Sequence, residues 1–272
     1  MGFGYGLFDT HCHLDALEYE QDRQKVMQRA LATGVRGILI PAVDVQSFDK
    51  VRYWSHQAPG GAYAVGIHPM YVRYASEDSL EQLRSYVQAH IDDPHLVAIG
   101  EIGLDFFVPE ISQGESRELQ IHFYREQLKI ARQFGLPVIL HVRRSQDELL
   151  KWLRRDGSAG GIAHAFNGSN QQAGQFIEQG FALGFGGAMT YPRALQIRRL
   201  AVELPLDQIV LETDGPDIAP AWMYTSKRNE PAQVANIAQA LANLRGCARS
   251  EVLEKTTQAA LRVVPRTRAL WT

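Results

Sequence analysis

The chain has 272 residues, 45% of them hydrophobic and 21% charged, an ordinary globular composition long enough to bury a sizeable core. Its formal charge of -2 speaks against broad, sequence-independent coating of duplex DNA, which needs a basic surface. Two cysteines, Cys12 and Cys247, are too few for a disulfide framework and fit a reducing compartment. Met1 to Phe8 carries neither a basic n-region nor an apolar h-region, and no stretch approaches the ~18 apolar residues of a membrane span. A cytoplasmic enzyme without a membrane segment is expected.

The first strand is predicted at Leu7 to Thr10, and it runs into His11-Cys12-His13. If the backbone stays extended there, His11 and His13 point one way and Cys12 the other. Two imidazoles on one face of a strand end suit a shared divalent cation; a pair of surface histidines would look the same in isolation. Cys12 is read as packing.

Asp22 to Thr33 reads as a helix stopped by Gly34, with Val26, Met27, Ala30 and Leu31 on one face. Gly37 to Ala42 reads as a buried strand, Ser47 to His56 as a helix and Ala62 to His68 as the third strand. A helix over Asp78 to Asp92 precedes the fourth strand, Leu96 to Glu101. A polar loop, Val108 to Gly114, leads to a helix over Glu115 to Phe134, ended by Gly135 and Pro137. Pro137 to His141 is the fifth strand, Gln146 to Arg155 a helix, Gly161 to His164 the sixth strand and Asn170 to Gln179 a helix. Phe181 to Gly186 is the seventh strand, Arg193 to Glu203 a helix and Gln208 to Asp214 the eighth strand. A long loop, Gly215 to Glu230, precedes two helices, Ala232 to Leu244 and Ser250 to Leu261.

Eight strands alternating with helices, at about 30 residues per unit, predict one α/β domain over residues 1–272, a (β/α)8 TIM barrel. A doubly wound open sheet is the alternative. In a parallel barrel all strand C-termini open on one face, where such enzymes build their sites. The strands end at His11 and His13, His68, Glu101, His141, His164 and Asp214. So many buried polar ends are costly unless paired or metal-bound, and two metals could share the set. His56, His90, His95 and His122 fall on helices or near their ends and are read as surface or packing residues. A turn-capping role is the plain reading of Asp214 alone; its place on the last strand favours the metal.

These residues are also the marks of a known family. The matching stretches are Phe8-Asp9-Thr10-His11-Cys12-His13, Gly66-Ile67-His68-Pro69, Gly100-Glu101-Ile102-Gly103-Leu104-Asp105 and Leu136 to Arg143. They continue with His164 to Ser169, Leu211 to Pro216 and Arg228-Asn229-Glu230-Pro231. The chain resembles the TatD family of metal-dependent hydrolases and deoxyribonucleases, within the amidohydrolase-like barrels, over nearly its whole length. Gly187 to Arg193 and the Arg143-Arg144 pair look most like its YjjV-type branch. The resemblance implies two divalent cations, Zn²⁺, Mn²⁺ or Mg²⁺. One would be held by His11, His13, Glu101 and Asp214, the other by Glu101, His141 and His164, with Glu101 bridging. Asn167 stands where a Ser is common and Gln258 where Asn is common; neither is a ligand position.

A metal pair can acidify a water and clamp substrate oxygens. Asp214 is then the candidate proton acceptor, and His68 and Arg143 are candidate donors to the developing charge. Arg143 lies two residues past His141, so alternation puts both on one side, and a guanidinium suits a phosphate; an exposed salt-bridge partner is its other reading. Arg228 and Tyr191 are candidate substrate-binding residues. Arg144, Arg193, Arg198, Arg199 and Lys227 could guide a strand end, and Trp222 could stack on a base; a solvated or packed surface residue is the plain reading of each. The resemblance suggests a deoxyribonuclease acting from 3′ ends of single strands. Hydrolysis of a small ester, amide or lactone on the same barrel is the alternative. DNA ends or a small phosphoester are the expected partners, with no membrane and no obligate protein partner.

Overall fold

The structure is a computed structural model that describes residues 6–271. The expectation of a leaderless start falls mostly on residues 1–5, which lie outside the described residues. Eight strands follow one another in sequence order around a single sheet. They are β1 (Leu7–Asp9), β2 (Val35–Pro41), β3 (Gly61–Val65), β4 (Leu96–Asp105), β5 (Val138–Arg143), β6 (Gly161–His164), β7 (Phe181–Phe185) and β8 (Ile209–Leu211). The helices between them are α1 (Arg23–Ala32), α2 (Phe48–Gln57), α3 (Glu77–His90), α4 (Gly114–Phe134), α5 (Gln146–Asp156), α6 (Asn170–Glu178) and α7 (Leu195–Glu203). Two more, α8 (Val234–Arg245) and α9 (Arg249–Val263), follow β8, and a short 3-10 turn, Pro265–Leu270, comes after them.

Every ladder is parallel and joins sequence neighbours. The residues after β1 and β8 close the circle. Thr10 N–H donates to Leu211 O at 3.0 Å and Asp214 N–H to His11 O at 2.8 Å, and Cys12 and Gly215 form a parallel bridge. This is the (β/α)8 barrel, and its strand order is not that of an open doubly wound sheet. Almost every strand residue is buried, as in parallel sheets covered on both faces.

Phe8, Leu39, Ala62, Val97, Ile139, Ile162, Ala182 and Val210, one from each strand, form an apolar cluster near the strand starts. Ala259, Ala260 and Val263 of α9 and the ring of Trp271 join it, so the N-terminal end of the barrel is plugged. The C-terminal end is left to polar side chains. Among the described residues no helix is long and apolar enough to cross a membrane.

The strands depart from expectation where they meet the site. β3 stops at Val65, short of His68, and β8 stops at Leu211, short of Asp214. Arg144, Ala165 and Asp214, each just beyond a strand, have φ of 55°, 45° and 56°; this left-handed backbone turns the chain out of the sheet. β4 instead runs past Glu101 to Asp105, pairing Gly103 with His141 and Asp105 with Arg143. A register shift lies between Ile99 and Ile102. Ile99, Ile102 and Leu104 all pack on the helix side, so the irregularity leaves Glu101 and Asp105 facing the barrel axis, as bulges commonly re-aim active-site residues. Gly103, at φ 139°, has no alternative, because a Cβ there would lie 2.3 Å from His141 O.

Candidate metal centre

Glu101 is 2% exposed and reaches two groups of imidazoles with its two oxygens. Oε2 lies 3.0 Å from His11 Nε2 and 3.6 Å from His13 Nε2. Oε1 lies 2.9 Å from His141 Nδ1 and 3.4 Å from His68 Nε2. His11 and His13 face one another at 3.4 Å between Nε2 atoms, so they do share one side; Cys12 turns into the helix-side core. Asp214 Oδ1 stands 3.7 Å from both His11 Nε2 and His13 Nε2 and 3.5 Å from His164 Nε2. The rings of His11 and His164 stack at 3.6 Å. His141 and His164 are register partners on β5 and β6. β1, β4, β5, β6 and the segment after β8 thus bring the expected ligands to one face, but His164 groups with His11 and Asp214, and His141 with Glu101 and His68, so the expected Glu101–His141–His164 set is not itself one of the close groups.

Three overlapping groups have ligand atoms all within 4.8 Å of one another: His11–His13–Glu101, His11–His164–Asp214 and His68–Glu101–His141. Imidazole lone pairs packed this closely beside carboxylates need a cation or a proton between them. The donor set, imidazole nitrogen with carboxylate oxygen, is that of divalent zinc or manganese sites, so the residues present fit a metal. The electrostatics agree. Burial would raise Glu101 and Asp214, yet His11 and His68 hold Glu101 well below the usual carboxylate range, and His164 lowers Asp214. Burial opposes a charge on His141 and His164, but Asp105 and Glu101 raise the first and Glu212 and Asp214 raise the second. The same negative surroundings would favour a bound cation.

His68 differs from the other histidines. Burial pushes its pKa down to about 4, so it is neutral near pH 7. Met70 N–H donates to its Nδ1 at 3.1 Å, which places the ring proton on Nε2. His68 therefore meets Glu101 and His141 as an N–H donor.

Three carboxylates quoted within the motifs, but given no role from sequence, stand behind the ligands. Asp105 Oδ2 lies 3.0 Å from His141 Nε2, leaving Nδ1 for Glu101. Glu212 Oε2 lies 3.1 Å from His164 Nδ1, leaving Nε2 for Asp214. Asp9, pushed up to about 8 by burial, accepts from Thr213 N–H at 2.9 Å and Thr213 Oγ1 at 2.6 Å, tying β1 to the segment that carries Asp214. Asp105 was findable: it is four residues past Glu101, on the same strand face.

Arg143 lies on the His141 side as alternation requires, with Nη1 3.7 Å from Asp105 Oδ2. Tyr191 is exposed, and its hydroxyl donates to Ala219 O at 2.9 Å. Arg228 is engaged elsewhere, in a two-pronged pair with Asp22 at 2.6 and 2.9 Å and a bond to Glu18 O at 2.8 Å. Trp222 Nε1 donates to Gln233 Oε1 at 2.9 Å. His56, His90 and His122 bond to Asp93, Tyr86 O and Glu77, and His95 to Gly61 O; none of them joins the centre.

A family model described as TatD related DNase matches residues 8–265. The chain belongs to this family. Among its relatives is an uncharacterised metal-dependent hydrolase of Escherichia coli K12, YjjV, 39% identical over 87% of this chain and 89% of its own length. Another is the deoxyribonuclease TATDN3 of Homo sapiens, 30% identical over 98% of this chain and 97% of its own. The crystal structure of YjjV, a TatD homologue, superposes with a TM-score of 0.89 at 35% identity, covering 95% of this chain and 98% of that one. This family member is a metal-dependent hydrolase with a TIM-barrel fold.

Proposed function

We propose that the chain is a deoxyribonuclease that hydrolyses phosphodiester bonds from the 3′ ends of single-stranded DNA, using two divalent cations. The observation that carries the reading is the position of Glu101, whose two oxygens lie 3.0 Å from His11 and 2.9 Å from His141, a placement suited to a carboxylate shared by two cations. His11, His13, Glu101 and Asp214 would hold one, and Glu101, His141 and His164 the other. Bound there, they would supply Lewis acidity and a water of lowered pKa. Imidazole-rich ligation favours Zn²⁺ or Mn²⁺.

The side chains supply the rest. Water attacks phosphorus and its proton passes to Asp214 Oδ2, since Oδ1 is the atom that faces the histidines. His68 Nε2–H and the Arg143 guanidinium donate to the phosphate oxygens as charge builds there. The departing oxygen takes the proton back from Asp214. The name of the human relative supports DNA as substrate. The two free cysteines, Cys12 buried and Cys247 half-buried, support a cytoplasmic site of action, and we assign no protein partner and one domain.

End-labelled single-stranded DNA is the test, incubated with Mg²⁺, Mn²⁺ or Zn²⁺, with and without chelator. Stepwise shortening from the 3′ end that chelator abolishes is expected. No cleavage with any metal, alongside turnover of small esters or lactones, would replace this reading with the small-substrate one.

A further inference from the structure

Phe107, in the loop after β4, is 43% exposed and two consecutive arginines lie against it. The guanidinium carbon of Arg143 is 3.9 Å from the ring centroid and that of Arg144 is 4.6 Å. Successive strand residues point to opposite faces, so one ring can meet both only if the backbone breaks its alternation. Arg144 does so with its φ of 55°, a conformation that non-glycine residues rarely hold. Phe107 is fixed in turn, its N–H donating to Asp105 Oδ1 at 2.8 Å.

Both cations keep free donors. Stacking on an aromatic ring uses the flat face of a guanidinium and leaves the N–H groups along its edge. Arg144 is exposed and makes no hydrogen bond or ion pair among the described residues; its guanidinium lies over the Phe107 ring. Arg143 has Asp105 at 3.7 Å, beyond hydrogen-bond reach. That carboxylate is already committed to His141 at 3.0 Å and to the Phe107 and Val108 amides at 2.8 and 3.1 Å. Through Asp105, Arg143 abuts the metal centre, while Arg144 extends the same positive surface outward along the rim.

We infer that Arg144 and Phe107 form a binding site for a second phosphate of the substrate, adjacent to the one that Arg143 and the metal centre address. The inference rests on the phosphodiesterase reading and narrows it to substrates with at least two neighbouring phosphates. Two forked donors side by side exceed what one carboxylate can match, whereas successive phosphates present several oxygens and a charge each. The Phe107 ring holds the two guanidinium groups together against their mutual repulsion.

The test reads binding in chelator-treated, metal-free protein, so it does not depend on turnover. Wild type, Arg144→Asn and Phe107→Leu are titrated with a thymidine dinucleotide and with the same dinucleotide bearing an extra terminal phosphate at the 5′ or the 3′ end. Asn tolerates left-handed backbone, and unchanged circular dichroism would show that the variants fold. The extra phosphate is expected to tighten binding to wild type about tenfold. That gain disappears in Arg144→Asn and shrinks in Phe107→Leu. An equal gain in Arg144→Asn, or none in wild type, overturns the inference. If DNA is not cleaved but the gain depends on Arg144, the phosphate site stands and the nuclease reading falls; cleavage with no role for Arg144 gives the reverse.

Discussion

Glu212 holds His164 from behind, its Oε2 3.1 Å from the imidazole Nδ1. The other oxygen accepts Ala165 N–H at 2.7 Å, which fixes that end of the carboxylate, while Oε2 meets the imidazole as an ion-pair contact without a hydrogen bond. Gly184 makes the room: a Cβ at that position would lie 2.2 Å from Glu212 Oε2. A carboxylate behind an imidazole sets its tautomer and the direction of the remaining lone pair, and its loss commonly costs 10–100-fold, roughly, in metal affinity. Glu212→Gln should weaken metal binding within that range in calorimetric titration, and Gly184→Ala should do the same by displacing the carboxylate. Wild-type affinity in both variants would remove Glu212 from the centre.

Asp214→Asn keeps an oxygen towards the histidines and removes the proton acceptor. Turnover of single-stranded DNA should fall about 10²- to 10⁴-fold, while metal content measured by plasma mass spectrometry stays close to wild type. A variant that turns over at the wild-type rate would exclude Asp214 as the base.

His68→Ala separates donor from ligand. With its proton on Nε2, His68 should lower kcat by about 10²-fold when removed, the scale of one lost donor to a developing oxyanion. Metal stoichiometry and affinity should not change. Loss of one metal per chain in His68→Ala would instead make it a ligand.

Much of this centre is legible in the amino-acid order because a parallel barrel turns distance along the chain into proximity at one face. His11, Glu101, His141, His164 and Asp214 needed only a strand count and a direction. Strand ends carry less information. The left-handed residues Arg144, Ala165 and Asp214 carry no glycine signal, and the shift that re-aims Glu101 depends on the partner strand. Tertiary pairings are invisible too: Arg228 looked free for substrate, but Asp22, 206 positions away, takes its guanidinium. Phe107 and Arg144 meet only because two loops from neighbouring strands converge.

Asp93, outside the centre, sets a pH dependence of stability. It accepts from Arg52 Nε and His56 Nε2 at 2.9 Å, Tyr63 OH at 3.2 Å and His95 N–H at 3.0 Å. Burial alone would raise its pKa, but His56, the His95 amide and Arg52 outweigh it and bring it to about 2, below its ordinary 3.8. A carboxylate depressed on folding stabilises the fold above its unfolded pKa and loses that contribution as pH falls through the folded value. Asp93→Asn should therefore cost about 1–2 kcal/mol in urea denaturation at pH 6, with the shift discounted for solvent screening. The difference from wild type should shrink between pH 3.8 and about 2. A cost that is the same at pH 6 and pH 2 would contradict this account.

The central claim is that Glu101 is shared by two cations, and anomalous diffraction from crystals grown with Mn²⁺ or Zn²⁺ tests it most directly. Two anomalous peaks are predicted, one on each side of the Glu101 carboxylate and both within bonding distance of it, the first beside His11 and His13 and the second beside His141. A single peak, or a second peak out of reach of Glu101, would contradict it.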